Sequence, residues 1–203
     1  MLDPTATVDD TDLRDEWDVT DEVGDDAPPR DPLDEDRKGY ELIHGTWVEK
    51  PEMGANASKV LLRLGSHVSN HVDQHALGHA FEAECGFQLF PSQPKLIRKP
   101  DVSFVATGRF TNNQPPDGNI KFAPDFAAEV VSPNDEAYPL EQKLDEYLRA
   151  GVRLVWVVHP LTKVVYVYRP DGTAARKTAT ESLDGEAVLP GFTLPIAELF
   201  KGM

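Results

Sequence analysis

Two acidic residues lie inside short apolar segments of this chain, where carboxylates are least expected. Asp101 lies in Lys-Pro-Asp-Val-Ser-Phe-Val, and Glu129 lies in Asp-Phe-Ala-Ala-Glu-Val-Val. Both segments have the length and composition of buried β-strands. Burying an ionised carboxylate costs several kcal/mol unless a cation, a metal ion or hydrogen bonds compensate it. Any fold of this chain must therefore bring compensating groups to both positions.

A lysine is predicted to lie close to these two carboxylates. Side chains alternate along a strand, so Asp101 and Glu129 can converge if their strands are neighbours. A helix is predicted from Leu140 to Ala150, and Lys143 lies at the edge of its apolar stripe rather than on its solvent face. A lysine leaning inward there would neutralise the carboxylates and could orient or activate a water molecule.

Two interpretations of this trio remain open from the residues alone. Oxygen ligands in this number suit Mg²⁺ or Mn²⁺, with waters and a substrate phosphate completing the coordination shell. Such a site would hydrolyse phosphodiesters. Alternatively, Glu129 and Lys143 form a buried ion pair that performs no chemistry, and Asp101 bonds local amides.

The periodicity of apolar residues predicts one sheet flanked by helices, an α/β (α+β) fold. The predicted elements are, in order, a hairpin over 40–49, a helix over 56–75, a strand or hairpin over 81–90, strands over 101–106 and 126–131, a helix over 140–150, a hairpin over 152–169, a weaker strand over 173–178 and a short closing helix over 194–200.

The first 38 residues differ in composition from the rest of the chain. Residues 1–38 contain 15 Asp and Glu against 4 Lys and Arg, whereas the other 165 residues contain 20 against 16. Low hydrophobicity and high net charge predict a disordered acidic extension over residues 1–38, followed by a folded domain over 39–203. The extension is either a solvating tail or a mimic of a polyanion that covers a basic groove.

Several classes of protein are excluded or disfavoured by composition. No apolar stretch approaches the roughly 18 residues that a membrane span requires, and the first residues lack the pattern of a secretory signal. The single cysteine, Cys85, cannot form an intrachain disulfide and is typical of a reducing cytosol. We therefore expect a cytoplasmic protein that does not enter a membrane.

Histidines form a second candidate metal site. His67, His71, His75 and His79 recur every four residues, and histidines at i and i+4 on a helix can bind zinc or nickel. Successive members of such a series drift around the helix, so only adjacent pairs would cooperate. The alternative is a solvated histidine ridge near the helix end.

Basic residues just before Asp101 are candidates for nucleic-acid binding. Lys95, Arg98 and Lys99 cluster there and could contact phosphates near the carboxylates. Scattered solubilising charge is an equally good explanation. The folded part is mildly acidic, so we expect modest and salt-dependent affinity for DNA.

Several segments together resemble the Uma-two (Uma2) family of bacterial restriction-endonuclease-like proteins, in the PD-(D/E)XK nuclease superfamily. They are Tyr-Glu-Leu-Ile-His-Gly over 40–45, Arg-Lys-Pro-Asp-Val over 98–102, Pro-Asp-Phe-Ala-Ala-Glu-Val-Val-Ser-Pro over 124–133, Lys-Leu-Asp-Glu-Tyr over 143–147, Ala-Gly-Val over 150–152 and Trp-Val-Val over 156–158. The resemblance covers residues 39–200 and implies a restriction-endonuclease-like domain with a central mixed β-sheet flanked by helices.

The resemblance also implies a function and its residues. Asp101 matches the acid of the Pro-Asp half-motif, and Glu129 matches the second ligand of a magnesium ion. The superfamily pattern places lysine where this chain has Val131, but similar family members carry it on the next helix, which Lys143 matches. Glu41 matches an acid of the first hairpin and is a further candidate ligand.

We accordingly expect a Mg²⁺- or Mn²⁺-dependent endodeoxyribonuclease acting on DNA, and a homodimer is left open. Two alternatives stand beside it. The first is a catalytically inactive nuclease fold that binds protein or nucleic acid, and the second is a transition-metal-binding protein that uses the four histidines.

Overall fold

The structure, a computed structural model, describes residues 37–203. The predicted acidic extension therefore lies outside the described residues, apart from its last two, Arg37 and Lys38. The boundary between extension and domain stays a prediction. Within 37–203, none of the helices has the length and apolar character needed to cross a membrane.

Residues 37–203 form twelve strands and three α-helices. These elements are β1 (Tyr40–Ile43), β2 (Thr46–Glu49), α1 (Ala55–Gln74), β3 (Gly78–Glu82), β4 (Phe87–Gln88), β5 (Ile97–Arg98), β6 (Val102–Ala106), β7 (Phe126–Val130), α2 (Ala137–Arg149), β8 (Leu154–His159), β9 (Val164–Tyr168), β10 (Ala174–Thr178), β11 (Ser182–Asp184), β12 (Thr193–Pro195) and α3 (Ile196–Leu199).

The central sheet is mixed, as the family resemblance implied. Its six strands lie in the order β10-β9-β8-β7-β6-β3, and only its β7–β8 pair is parallel. Parallel neighbours need a crossover, which α2 provides. A second sheet has the order β2-β1-β5-β4, and β11 pairs with β12. The predicted α/β fold with a central mixed sheet and flanking helices is confirmed.

Helices cover both faces of the central sheet. On one face, apolar residues of α1 pack with the alternate residues Phe126, Ala128 and Val130 of β7. On the other face, α2 packs through Leu144 and Tyr147. All five residues of β7 are buried, so Glu129 lies in the layer between the sheet and α2.

A glycine ends α2 and starts the return to the sheet. Gly151 has a φ of 90°, the left-handed conformation that favours glycine. The next amide, of Val152, donates to the carbonyl of Tyr147 at 3.0 Å. This turn fixes where α2 stops relative to β8, and it confirms the predicted end of the helix.

The predictions were less accurate for the short elements. The segment over 81–90 is neither one strand nor one hairpin, because β3 pairs in the central sheet and β4 pairs in the smaller sheet. The closing helix predicted over 194–200 is wrong at its start, where β12 pairs with β11. Strands of two or three residues are too short to produce a periodic pattern, so β4, β5 and β11 left no clear signal.

Trp156 provides a test of the larger core. Its side chain is fully buried on β8, and its ring lies 4.7 Å from that of Phe126 and 5.7 Å from that of Phe192, between centroids. We expect Trp156→Ala to lower the free energy of unfolding by about 3–5 kcal/mol, because a large cavity replaces these contacts.

Urea denaturation of both proteins measures this loss. Leu161→Ala is the control, because Leu161 is 90% exposed and its truncation should change the free energy of unfolding by less than about 0.5 kcal/mol. Similar losses in the two variants would contradict the assignment of Trp156 to the core.

Candidate active site

Asp101 is held at the point where β6 meets β7. The strand register pairs Val102 with Ala128, which places Asp101 beside Glu129 at the end of the pairing. One carboxylate oxygen of Asp101, Oδ2, accepts a hydrogen bond from the amide of Val130 at 2.8 Å. The Asp101 side chain thus extends the hydrogen bonding between β6 and β7 by one residue before β6 begins, and this bond fixes its conformation.

Glu129 is held by two residues of α2. The hydroxyl of Tyr147 donates to Oε1 of Glu129 at 2.7 Å, and the ammonium of Lys143 lies 3.4 Å from Oε2. Residues four apart share one face of a helix, so both donors reach the strand together. The structure therefore brings Asp101, Glu129 and Lys143 together, as the sequence predicted.

Glu41 joins the same cluster from the first hairpin. Its Oε1 accepts from the amide of Lys99 at 2.8 Å and lies 3.2 Å from the ammonium of Lys143. Its Oε2 accepts from Arg98 at 2.9 Å, and Arg98 also donates to Glu146 of α2 at 2.6 Å. Lys143 is thus shared between two carboxylates, and Arg98 links β5 to both β1 and α2.

Lys50 is a member of the cluster that sequence reasoning missed. It follows β2, and its ammonium lies 3.4 Å from Oδ1 of Asp101. The same ammonium donates to the main-chain carbonyls of Lys99 and Ala83 at 3.1 and 3.3 Å. Its sequence position after the hairpin that carries Glu41 was the only available signal. Tyr147 belongs to the predicted helix, but nothing in the sequence indicated a role for its hydroxyl.

Burial and neighbouring charges separate the pKa values of the acidic groups. Burial, reinforced by Asp101 and Glu41, outweighs the attraction of Lys143 and raises the pKa of Glu129 to about 7. Burial also acts to raise the pKa of Glu41, but Lys143, Arg98 and the Lys99 amide lower it to about 2.

The pKa of Lys143 is raised above its usual value. Its burial acts in the opposite direction, but Glu129, Glu41 and Asp101 outweigh that effect. Lys143 is therefore an ammonium throughout the physiological pH range.

The cluster is reached through clefts on two sides. A cleft of about 350 Å³ lies between the first hairpin and α2, and Glu41, Lys50, Glu129 and Lys143 all line it. A larger cleft, of about 650 Å³, lies between α1 and β3 and reaches Asp101. A ligand can therefore approach the carboxylates, even though each of them is more than nine-tenths buried.

Comparison with known proteins identifies the family. A family profile described as "Putative restriction endonuclease", Uma2, matches residues 27–197. The chain belongs to the Uma2 family. A search of curated proteins found no match.

One solved structure shares the fold of this Uma2 chain. It is the crystal structure of "a putative nuclease belonging to DUF820" from Anabaena variabilis ATCC 29413, with a TM-score of 0.66 and 23% sequence identity. The match covers 79% of this chain and 89% of that one. The shared fold therefore covers nearly the whole of the other protein.

The three basic residues predicted to contact nucleic acid do not share a surface. Arg98 and Lys99 are 3% and 1% exposed, and both are engaged in ion pairs, Lys99 with Glu84 at 3.3 Å. Lys95 is exposed. The charge of Arg98 thus compensates buried acids of the Uma2 domain, whereas Lys99 pairs with a partly exposed acid. The predicted contact of these residues with phosphates stays a prediction.

The four histidines do not form one ridge. His79 is on β3 rather than on α1, where it packs against Phe81 and Phe110. The rings of His71 and His75 are in contact, with centroids 4.2 Å apart, but each bonds a main-chain carbonyl, His71 that of Pro190 and His75 that of His71. His79 therefore does not join the other three, which lie on α1 and at its end.

The cluster contains the donor atoms for a divalent ion but is not a closed cage. Within residues 37–203, no group of three or more His, Cys, Asp or Glu side chains is arranged to hold a metal ion. Magnesium needs only one or two carboxylates, with waters completing its shell. Oδ1 of Asp101 and Oε2 of Glu129 each face a lysine ammonium at the long distance of 3.4 Å. Carboxylate oxygens of this kind are the donor type that hard divalent ions prefer.

Arg98 should be essential for stability, because it compensates two buried acids. Arg98→Met removes the cation that contacts Glu146 and one of the two that contact Glu41, and we expect it to lower the free energy of unfolding by about 3–5 kcal/mol. Arg149→Met is the control. Arg149 pairs with Asp145 on the exposed surface of α2, and this pair should contribute less than about 1 kcal/mol. Urea denaturation measures both losses, and equal losses would contradict this role of Arg98.

The raised pKa of Glu129 predicts how stability depends on pH. Between the ordinary pKa of 4.5 and about 7, the folded protein retains a proton that the unfolded chain has released. The contribution of Glu129 to the free energy of unfolding therefore falls as pH rises through this window. Glu129→Gln cannot titrate, so the variant should gain about 2 kcal/mol relative to the parent between about pH 5 and about pH 7.5.

Urea denaturation in a metal chelator at both pH values measures this difference. Glu136→Gln, at an exposed acid beside α2, is the control and should follow the parent. Parallel stability curves for the parent and Glu129→Gln would contradict the raised pKa.

Proposed function

We propose that this Uma2 protein is a Mg²⁺- or Mn²⁺-dependent endodeoxyribonuclease that hydrolyses phosphodiester bonds of DNA. The observation that carries the proposal is the contrast between the two oxygens of each site carboxylate. In Asp101 and in Glu129, one oxygen accepts a short bond from a protein donor, and the other faces an ammonium at 3.4 Å. This is the arrangement expected of pre-oriented ligands whose charge is balanced in the absence of an ion.

Asp101 and Glu129 would hold the divalent ion. An ion held there would supply Lewis-acid chemistry, polarising the phosphodiester and lowering the pKa of a bound water. Tyr147 and the Val130 amide keep the two carboxylates in fixed orientations, which avoids reorganisation during the reaction. In the metal-free protein the pKa of Glu129 is raised to about 7, so metal binding near neutral pH would require this group to release a proton.

Lys143 would stabilise the negative charge that develops on the phosphate and orient the attacking water. It lines the cleft with 14% of its side chain exposed, so a substrate in the cleft would lie beside this side chain. Glu41 keeps this ammonium in place. Both oxygens of Glu41 accept short bonds, from the Lys99 amide at 2.8 Å and from Arg98 at 2.9 Å, so its contacts favour a positioning role over the predicted role as a metal ligand.

An inactive binding module is the second candidate, and one observation favours it. Every site carboxylate already has a cationic partner, Asp101 in Lys50, Glu129 in Lys143 and Glu41 in Arg98. A cluster kept for structure alone would be balanced in the same way. The decision between the two candidates is therefore experimental.

Cleavage of labelled DNA in Mg²⁺ or Mn²⁺ is the test of the proposed function. We expect the parent protein to cleave, and Glu129→Gln and Lys143→Met each to reduce the rate by about 100-fold or more, because each removes a group that acts in the transition state. Asp145→Asn is the control, because this acid of α2 is exposed and forms only a surface pair. It should retain the parent rate.

Calorimetric titration with Mg²⁺ separates the two candidate functions. A nuclease should bind the ion in the parent protein and lose that binding in Glu129→Gln. If the well-folded parent neither cleaves DNA nor binds Mg²⁺, the binding module remains as the function.

A further inference from the structure

The ammonium of Lys50 occupies a small cation site made by the protein itself. Three oxygens surround it, Oδ1 of Asp101 at 3.4 Å and the main-chain carbonyls of Ala83 and Lys99 at 3.3 and 3.1 Å. They come from two segments, namely the turn after β3 and the three residues 99–101 that connect β5 to β6. Carbonyl and carboxylate oxygens are also the ligands that hard metal cations prefer.

Lys50 differs from Lys143 in how firmly its charge is held. Lys143 lies between two carboxylates, those of Glu129 and Glu41. Lys50 has a single carboxylate within 4 Å, that of Asp101, and two neutral carbonyls. Coulomb attraction to a carboxylate is much stronger than attraction to a carbonyl dipole, so Lys50 is the ammonium that a competing cation displaces more readily.

The position of Lys50 allows such a displacement. It lines the cleft that also contains Glu129 and Lys143, and 17% of its side chain is exposed. Its chain of four methylene groups is flexible, so the ammonium can move into the cleft without moving the backbone. Asp101 does not need to move, because its other oxygen is fixed by the Val130 amide.

We infer that the Lys50 ammonium is the built-in counter-ion of Asp101, which a divalent ion must displace in order to bind. The inference rests on the proposed function. In the metal-free protein, Lys50 balances the buried charge of Asp101 and so stabilises the site without an ion. When an ion binds at Asp101, repulsion between like charges a few ångströms apart expels the ammonium toward the cleft. Lys50 is thus a positioning residue that sets metal affinity.

Metal affinity of a charge-deleted variant tests the inference. Lys50→Met keeps the length of the side chain and removes its charge, so Mg²⁺ no longer competes with an ammonium. We expect calorimetric titration with MgCl₂ to give a dissociation constant lower by about tenfold or more, equivalent to about 1.4 kcal/mol. Lys201→Met is the control, because Lys201 is exposed and pairs only with Glu198 at the surface. It should bind Mg²⁺ as the parent does.

A second measurement uses the parent protein and does not depend on any variant folding. Amine acylation followed by mass spectrometry reports how accessible each lysine is. We expect MgCl₂ to increase the acylation rate of Lys50 several-fold and to leave that of Lys201 unchanged. A purely structural lysine would be equally or better protected after the ion binds.

The outcomes distinguish the inference from the function on which it rests. Tighter Mg²⁺ binding by Lys50→Met, or increased acylation of Lys50 in the parent, supports the inference. Measurable but equal affinities, with unchanged acylation, overturn it and leave the proposed nuclease intact. Absence of Mg²⁺ binding by the parent and by Lys50→Met, both folded, overturns the proposed function and this inference together.

Discussion

The buried charge of Glu129 is the constraint around which the elements of this domain are arranged. A carboxylate in a strand whose five residues are all buried requires donors from outside the sheet. The face of α2 that covers β7 supplies them, as Tyr147 and Lys143. Lys143 in turn requires Glu41, and Glu41 requires Arg98. The first hairpin, β5, β7 and α2 are therefore linked through one chain of ion pairs as well as through apolar packing.

The same cluster gives two glutamates opposite properties. Glu41 has the larger share of cationic partners and a pKa of about 2, so it is always charged. Glu129 has the larger share of carboxylate neighbours and a pKa of about 7, so its charge changes near neutrality. Such a difference lets two neighbouring acids in one site have different roles. One provides a fixed charge, and the other can bind and release a proton.

Local periodicity predicted the centre of the site, and tertiary contacts determined the rest. Alternation along β7 and the apolar stripe of α2 were enough to bring Glu129 and Lys143 together, because each depends on a few neighbouring residues. The contacts of Lys50 with Ala83 and Lys99 join segments 33 and 49 residues apart, and no sequence period reports such a distance. Arg98 was expected at the surface because charged residues are usually exposed, but its two acid partners allow its burial.

One face of α2 serves both the core and the cluster, and this has an evolutionary consequence. Leu144 and Tyr147 pack against the sheet, while Lys143 and Glu146 on the same helix balance the charges of Glu129 and Arg98. Replacing Lys143 or Arg98 would leave buried acids with less compensating charge. A descendant that abandoned the chemistry but kept the fold would have to exchange these residues together. Selection against such destabilising single substitutions would therefore preserve the cluster through stability alone.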